Sequence, residues 1–324
     1  MNKKDIFKRP ECILDAQRTK PHNLIVEILI FIAVFIVTEI VVALASIIPS
    51  IIFMFTSSDF MAVAQTGDAG QIAAYLTEDS DFMTVLSLFF TAFEILVPVI
   101  YCRTIEKRGI TTMGFVKKNW LGEYAVGLLV GLVIFSAAVG IGVLTGALEV
   151  SLPAKGIDYL WIAIVFLGFL VQGMAEEVMC RGYFMVSISR KYSLPVAIIV
   201  SALVFAALHL GNDGMAPLAF VNIFLFGVFA AIYFIKRGSI WGIAAIHSIW
   251  NFAQGNIYGI KVSGMDTGDS FLSTVFNESG ELFNGGAFGL EGGLCVTIVL
   301  VVGIIAVSFL KGKNVPAAVE IKES

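Results

Sequence analysis

Eight stretches of this chain, at roughly 24–55, 82–102, 123–148, 158–188, 194–210, 217–235, 240–258 and 289–310, are apolar over about the length an α-helix needs to cross a bilayer. No water inside lipid can satisfy backbone N–H and C=O groups, so such runs must become helices that bond to themselves. The first is long enough to tilt, or to break near Pro49. Only 14% of the residues are charged and the mean hydropathy is +0.89, where a soluble domain carries about 25% charged residues. The expected fold is therefore all-α: a polytopic membrane protein of about eight transmembrane helices. No internal repeat, low-complexity tract or soluble domain interrupts it. The expected division is a cytoplasmic segment at 1–22, a transmembrane domain at 23–312 and a cytoplasmic tail at 313–324. The longest irregular stretches are 56–81 and 259–288, and the second is rich in Gly, Ser and Asp, as a mobile extracytoplasmic loop would be.

The loops sort by charge. Lys3, Lys4, Lys8, Arg9, Arg18 and Lys20 precede the first run; Arg103, Lys107, Arg108, Lys117 and Lys118 follow the second. Arg190 and Lys191, Lys236 and Arg237, and Lys311, Lys313 and Lys322 follow the fourth, sixth and eighth. The alternate loops are acidic or nearly uncharged, with Asp59, Asp68, Glu78, Asp79 and Asp81, then Asp213, then Asp266, Asp269, Glu278 and Glu281. Positive charge stays on the cytoplasmic side, which predicts an integral membrane protein with both termini in the cytoplasm. The net charge of −4 adds little. The apolar run from Leu24 is too long for the core of a cleavable signal and reads as a retained helix. Cys12, Cys102, Cys180 and Cys295 lack CxxC spacing, so they read as reduced apolar residues rather than a thiolate site or a disulfide framework. The expected surroundings are the lipid bilayer, with no nucleic-acid partner.

Three polar clusters interrupt the oily helices: Glu176-Glu177 with Arg181, His209, and His247 with Asn251. Ionisable groups at bilayer depth are costly and usually face a protein interior or a wet cavity. At about 1.5 Å rise per residue, Glu176 and His209 lie about 20 and 22 Å from the cytoplasmic face, His247 and Asn251 about 12 and 18 Å. These depths overlap, so helices four to seven form the expected core. Glu177 and Arg181 stand at i,i+4 and pair on one face, with Glu176 about 100° away. One acid is then structural and the other free to act. His247 and Asn251, also at i,i+4, offer two donors to an oxyanion. A Glu and a His converging on one water is a recurrent arrangement for hydrolysis. Glu176, His209 and His247 are also candidate zinc ligands, although HExxH is absent, and the choice between metal and no metal stays open.

Blander roles exist for each cluster: a buried ion network for Glu176, Glu177 and Arg181, a helix cap for His209, and interhelical hydrogen bonding for His247 and Asn251. Two histidines and two acids at overlapping depth favour a site. Glu39 and Glu94 have no basic partner in their helices and read either as protonated packing residues or as part of the cavity. Gly127, Gly131, Gly140, Gly142 and Gly146 suit close helix contact better than a phosphate loop, since no strand precedes them.

In sequence, Glu176 to Arg181 resembles an EExxxR motif, Phe205 to His209 an FxxxH motif, and His247 to Asn251 an HxxxN motif, all three of the CPBP intramembrane endopeptidases. Gly227 and the Arg237–Trp241 turn resemble a further segment of that family. The family comprises type II CAAX prenyl endopeptidases and bacterial relatives tied to bacteriocin processing or self-immunity, and is often labelled metalloprotease. The resemblance covers 158–255, within an expected catalytic core at 158–258. It implies a hydrolase of the bacterial cell membrane, acting on a membrane-embedded or membrane-associated peptide or protein. It implies Glu176 as the base that activates water, His209 as its positioner, His247 and Asn251 as oxyanion donors, and Glu177 and Arg181 as the pair that holds Glu176. Two other classes compete: a proton- or ion-coupled transporter, disfavoured by the lack of inverted repeats, and a non-catalytic immunity or scaffold protein.

Overall fold

In a computed structural model, residues 8–72 and 81–312 are described. Lys3, Lys4, Glu78, Asp79 and the tail 313–324 with Lys313 and Lys322 lie outside the described residues. The chain is mostly helical. A short helix α1 (Glu11–Ala16) precedes α2 (Leu24–Thr56), α3 (Ser58–Gln65), α4 (Asp81–Phe90), α5 (Ala92–Thr104) and α6 (Trp120–Leu144). After strand β1 (Leu148–Ser151) come α7 (Tyr159–Glu177), α8 (Val186–Ser189), α9 (Leu194–Leu208), α10 (Pro217–Arg237) and α11 (Trp241–Phe252). Strand β2 (Ser273–Phe276), α12 (Glu281–Asn284) and α13 (Leu294–Ser308) complete the described chain.

Local signals set several boundaries. The Asn23 side chain accepts from Val26 N at 3.0 Å and starts α2, which runs unbroken through Pro49. Asp158 caps α7 by accepting from the N–H groups of Leu160 and Trp161 at 2.9 and 3.0 Å. Proline sits in the first turn of α9 and α10, where no intrahelical donor is needed, and α10 ends at Gly238 with φ 61°. Between α7 and α8 the helix widens into a π-helical stretch, Val178–Met185, that carries Arg181.

Five helical segments among the described residues are long and apolar enough to cross a membrane: Leu24–Thr56, Met83–Thr104, Trp120–Leu144, Tyr159–Ser189 and Pro217–Arg237. The other three expected runs are helical but short. α9 and α13 have 15 residues each, and α11 has 12 before a π-helical turn to Ile257. At about 1.5 Å per residue, 15 residues reach only about 22 Å. Polar loops enter where these helices stop. Many large apolar side chains on α2, among them Ile25, Leu44 and Phe55, are exposed as a lipid-facing surface would be.

Not everything is helix. β1 and β2 pair antiparallel, Leu148 opposite Phe276 and Ser151 opposite Ser273, so the third run ends at Leu144 and continues as a strand. The segment expected as a mobile loop at 259–288 is built into the structure. Asn256 Nδ2 donates to the carbonyls of Thr267 and Asp269, and Trp161 Nε1 donates to Thr267 O at 3.0 Å. Its Gly and Asp residues serve tight turns, which composition alone does not distinguish from mobility.

The charged loops gather at two ends. At the basic end Arg190 Nη2 meets Glu27 at 2.8 Å and Glu106 at 2.6 Å, Arg108 Nη2 donates to Ser187 Oγ at 2.9 Å, and Arg237 pairs with Glu123 at 2.6 Å. α1 is tucked there with Cys12, Ile13 and Ala16 buried, and burial pushes the Cys12 thiol up to about 12. At the opposite end the 259–288 segment supplies β2 to the ribbon, and Asn212 Nδ2 donates to Ser263 O at 3.1 Å.

Glycine lets α6 and α7 approach α11 closely. A Cβ on Gly131 would stand 2.6 Å from Ile246 O, one on Gly127 would stand 2.7 Å from Ala245 Cβ, and one on Gly173 would stand 2.5 Å from Ser248 N. Gly142 meets only Leu148, while Gly140 and Gly146 have open space, so the contact role belongs to part of the glycine series. Backbone cannot yield as a side chain can. Gly131→Val should therefore cost at least the ~1–3 kcal/mol typical of overpacking. The readout is thermal aggregation in detergent, with Gly140→Val close to wild type; equal midpoints for the two would contradict the close-approach argument.

Candidate active site

Adjacent positions on α7 send Glu176 and Glu177 in different directions. Glu177 is fully buried, whereas the Glu176 side chain keeps 20% exposure onto a cavity of about 460 Å³. Glu177 Oε1 accepts from Arg181 Nη1 at 2.8 Å and from His247 Nδ1 at 2.8 Å. A carboxylate only accepts, so Nδ1 carries the hydrogen and Nε2 is the ring nitrogen turned to the cavity. His209, the residue that ends α9, places Nδ1 at 2.8 Å from Phe205 O, another pure acceptor. Its Nε2 is likewise the free nitrogen.

Both rings aim at one oxygen. Glu176 Oε2 lies 3.6 Å from His247 Nε2 and 4.0 Å from His209 Nε2. These distances are too long for direct hydrogen bonds and suit a small group bonded to all three. Glu176 Oε1 accepts instead from Gln172 Nε2, and Gln172 Oε1 accepts from Asn251 Nδ2 at 2.9 Å. A chain Asn251–Gln172–Glu176 thus fixes the carboxylate.

The structure brings Glu176, His209, His247 and Asn251 to one cavity, and Glu177 and Arg181 beneath it. The resemblance implied that Glu177 and Arg181 hold Glu176; the contacts differ. The pair holds His247, and Gln172 holds Glu176. Gln172 was legible in principle, as a polar residue one turn before Glu176 in an apolar run. Arg181 also stacks over Phe205 at 4.3 Å from the ring centroid, and a Cβ on Gly227 would come within 3.3 Å of its Nη2. The nearer contact there is Ala202 of α9 at 2.9 Å, so Gly227 first lets α9 and α10 approach and also leaves space beside the guanidinium. Phe226 stands edge-on to His247 with centroids 4.8 Å apart and Phe205 does the same to His209 at 4.8 Å, so both imidazoles keep fixed orientations.

Glu39 and Glu94 do not line the cavity, although Glu94 is near enough to Glu176 and Glu39 for their charges to interact. Among the described residues no group of three His, Cys, Asp or Glu side chains is gathered closely enough to hold a metal ion. The donor types suit zinc; Glu176 Oε1 is taken by Gln172, which leaves Oε2, at 3.6 Å from His247 Nε2 and 4.0 Å from His209 Nε2, as the oxygen turned toward both imidazoles.

No curated protein and no solved structure matches the chain. One family does, the type II CAAX prenyl endopeptidase Rce1-like proteins, over residues 158–253. That segment runs from the cap of α7 to the end of α11 and contains every residue of the site just described. Residues 158–253 are thus similar to the Rce1-like protease family, and this is the segment that carries the EExxxR, FxxxH and HxxxN motifs.

Proposed function

We propose that this chain is an intramembrane endopeptidase in which Glu176 and His209 activate water against a peptide bond. The observation that carries the reading is Glu176 Oε2 facing two imidazole Nε2 atoms at 3.6 and 4.0 Å inside a cavity among apolar helices. A water bonded to Glu176 Oε2 and His209 Nε2 loses a proton to the carboxylate as its oxygen attacks the carbonyl carbon. The carbonyl oxygen then becomes an oxyanion. Asn251 Nδ2 and His247 Nε2 are the donors we assign to it. His247 already donates from Nδ1 to Glu177, so its Nε2 donates only when the ring carries both protons, and the Glu177 carboxylate compensates that charge. Glu176 returns its proton to the departing amine as the C–N bond breaks, leaving a carboxylic acid and an amine.

The eight-span topology with both termini cytoplasmic belongs to the same proposal, since the three short helices complete the alternation of basic and acidic loops. The substrate is a membrane-embedded or membrane-associated peptide, because the cavity walls include Phe169, Phe205, Phe226 and Trp250. The test uses purified full-length protein in proteoliposomes with apolar peptides of about 12 residues, and mass spectrometry to find new internal termini. Hydrolysis is expected to survive prolonged chelation, and elemental analysis is expected to find well under one zinc per chain. One tightly held zinc, with activity lost on its removal and restored on its return, would overturn the water-only mechanism and leave the protease reading standing.

A further inference from the structure

Four hydrogen-bond donors converge on one acid that the proposed reaction does not use. Glu291, in the short turn before α13, accepts from Trp250 Nε1 at 3.1 Å through Oε1, and from Ser263 N, Ser263 Oγ and Gln254 Nε2 at 3.0, 2.8 and 3.3 Å through Oε2. A carboxylate suits this set because both of its oxygens only accept. Trp250 and Gln254 stand at i,i+4, one on α11 and the other in the π-helical turn that follows it, so Glu291 grips the helix that carries His247 and Asn251. Trp250 precedes Asn251 directly. Its ring stands edge-on to Phe226 with centroids 5.5 Å apart, and Phe226 is the ring that contacts His247.

The bonds to Ser263 lead to the other imidazole. Val262 and Met265 close a two-residue turn by exchanging N–H···O bonds of 2.8 and 2.9 Å around Ser263 and Gly264, whose φ angles are 49° and 93°. Positive φ at both central positions suits Gly, Asn or Asp, and serine fits the first of them poorly. Contacts from outside hold the turn in that shape. Glu291 accepts from Ser263 N and Oγ, Asn212 Nδ2 donates to Ser263 O at 3.1 Å, and Phe288 O accepts from Gly264 N at 3.0 Å. Asn212 also donates its backbone N–H to His209 O at 3.0 Å, in the turn that ends α9. A continuous path thus runs from His209 through Asn212, Ser263 and Glu291 to Trp250, beside Asn251. α9 packs on α10 and the π-helical stretch Val178–Met185, whereas α11 packs on α6 and α7, so the spacing of the two imidazoles depends on such a bridge. Ser263 and Glu291 lie beyond the matched segment 158–253.

Resting on the endopeptidase reading, we propose that Glu291 is a positioning residue, which through Ser263 and Asn212 fixes the turn of His209 against the helix of His247 and Asn251. Glu291→Gln turns an N–H donor toward a set of donors, so one side of the bridge is lost. A displacement of about 1 Å at a reacting group can cost up to about 10²-fold in rate; kcat is expected to fall about tenfold, with KM within about twofold of the parent. Asn212→Ala cuts the same path at a single hydrogen bond and should lower kcat in the same way. Because both act on one path, the double variant should be no slower than Glu291→Gln alone, whereas unrelated structural losses multiply. Unchanged kcat in either single variant, or losses that multiply in the double variant, would overturn the proposal. Should Glu291→Gln not yield folded protein, Asn212→Ala alone carries the test.

A distance measurement reads the bridge without catalysis. Gly211, where a Cβ meets nothing within 4 Å, follows His209 closely, and Leu144 ends α6 and is 88% exposed. The four native cysteines are buried, so nitroxides attached to Gly211→Cys and Leu144→Cys report alone. In proteoliposomes the distance distribution between the two labels should be narrow in the otherwise unchanged protein and clearly broader with Glu291→Gln or Asn212→Ala. An unchanged distribution in both would overturn the bridge. Broadening in a protein whose parent form hydrolyses no peptide would count against the endopeptidase reading alone and leave the bridge standing.

Discussion

Replacing Glu176 by Gln is expected to cut peptide hydrolysis by about 10²–10⁴-fold, the usual loss with a general base, in a protein that still folds. The isosteric amide keeps an oxygen for the Gln172 donor, and the position that faces the histidines stands 3.6 and 4.0 Å from them, outside direct hydrogen-bond range. What it loses is the lone-pair basicity that takes the proton from water. Glu39→Gln should retain activity, because Glu39 lies on α2 and does not line the cavity. Size-exclusion profiles of both variants should match the parent, and initial hydrolysis rates on one peptide should separate them. A fully active Glu176→Gln protein would reject the mechanism. Inactivity of Glu39→Gln in a folded protein would point instead to a proton relay through Glu39 and Glu94.

The parts of this fold that were legible in the sequence are those governed by solvent. Apolar runs mark helices because lipid forces the backbone to bond internally, and Arg190, Lys236 and Arg237 mark one end because charge avoids crossing. Helix length was less legible. The run at 289–310 yields only Leu294–Ser308, since Gly289 at φ 95° and Gly293 serve turns that hydropathy counts as neutral. Strands β1 and β2 were invisible because each is four residues long and gains its partner from a segment more than a hundred residues away. In the site, i,i+4 spacing correctly predicted the Glu177–Arg181 contact. Spacing within one helix says nothing about which neighbour rotates toward it, and so the bond from Glu177 to His247 and the role of Gln172 required the packed structure.

Arg181 is where stability and chemistry can be pulled apart. Its guanidinium and the Glu177 carboxylate are both fully buried, and removing one partner of such a pair usually costs about 3–5 kcal/mol because the other charge is left uncompensated. Arg181→Met should therefore lower the thermal aggregation midpoint in detergent sharply, with hydrolysis lost along with the fold. Replacing both partners removes the stranded charge. Glu177→Leu with Arg181→Met should recover much of the stability, as buried pairs exchanged for apolar residues of similar volume often do. Activity should not return, because His247 Nδ1 then has no acceptor at 2.8 Å and its ring is free to turn away from Glu176. A stable but inactive double variant is thus the expected signature of a pair that positions a catalytic imidazole. If the double variant were stable and active, the pair would be packing alone, and His247 would need no carboxylate behind it. If it were no more stable than Arg181→Met, the cost would lie in the cation contact with Phe205 and the space kept by Gly227 rather than in the stranded carboxylate.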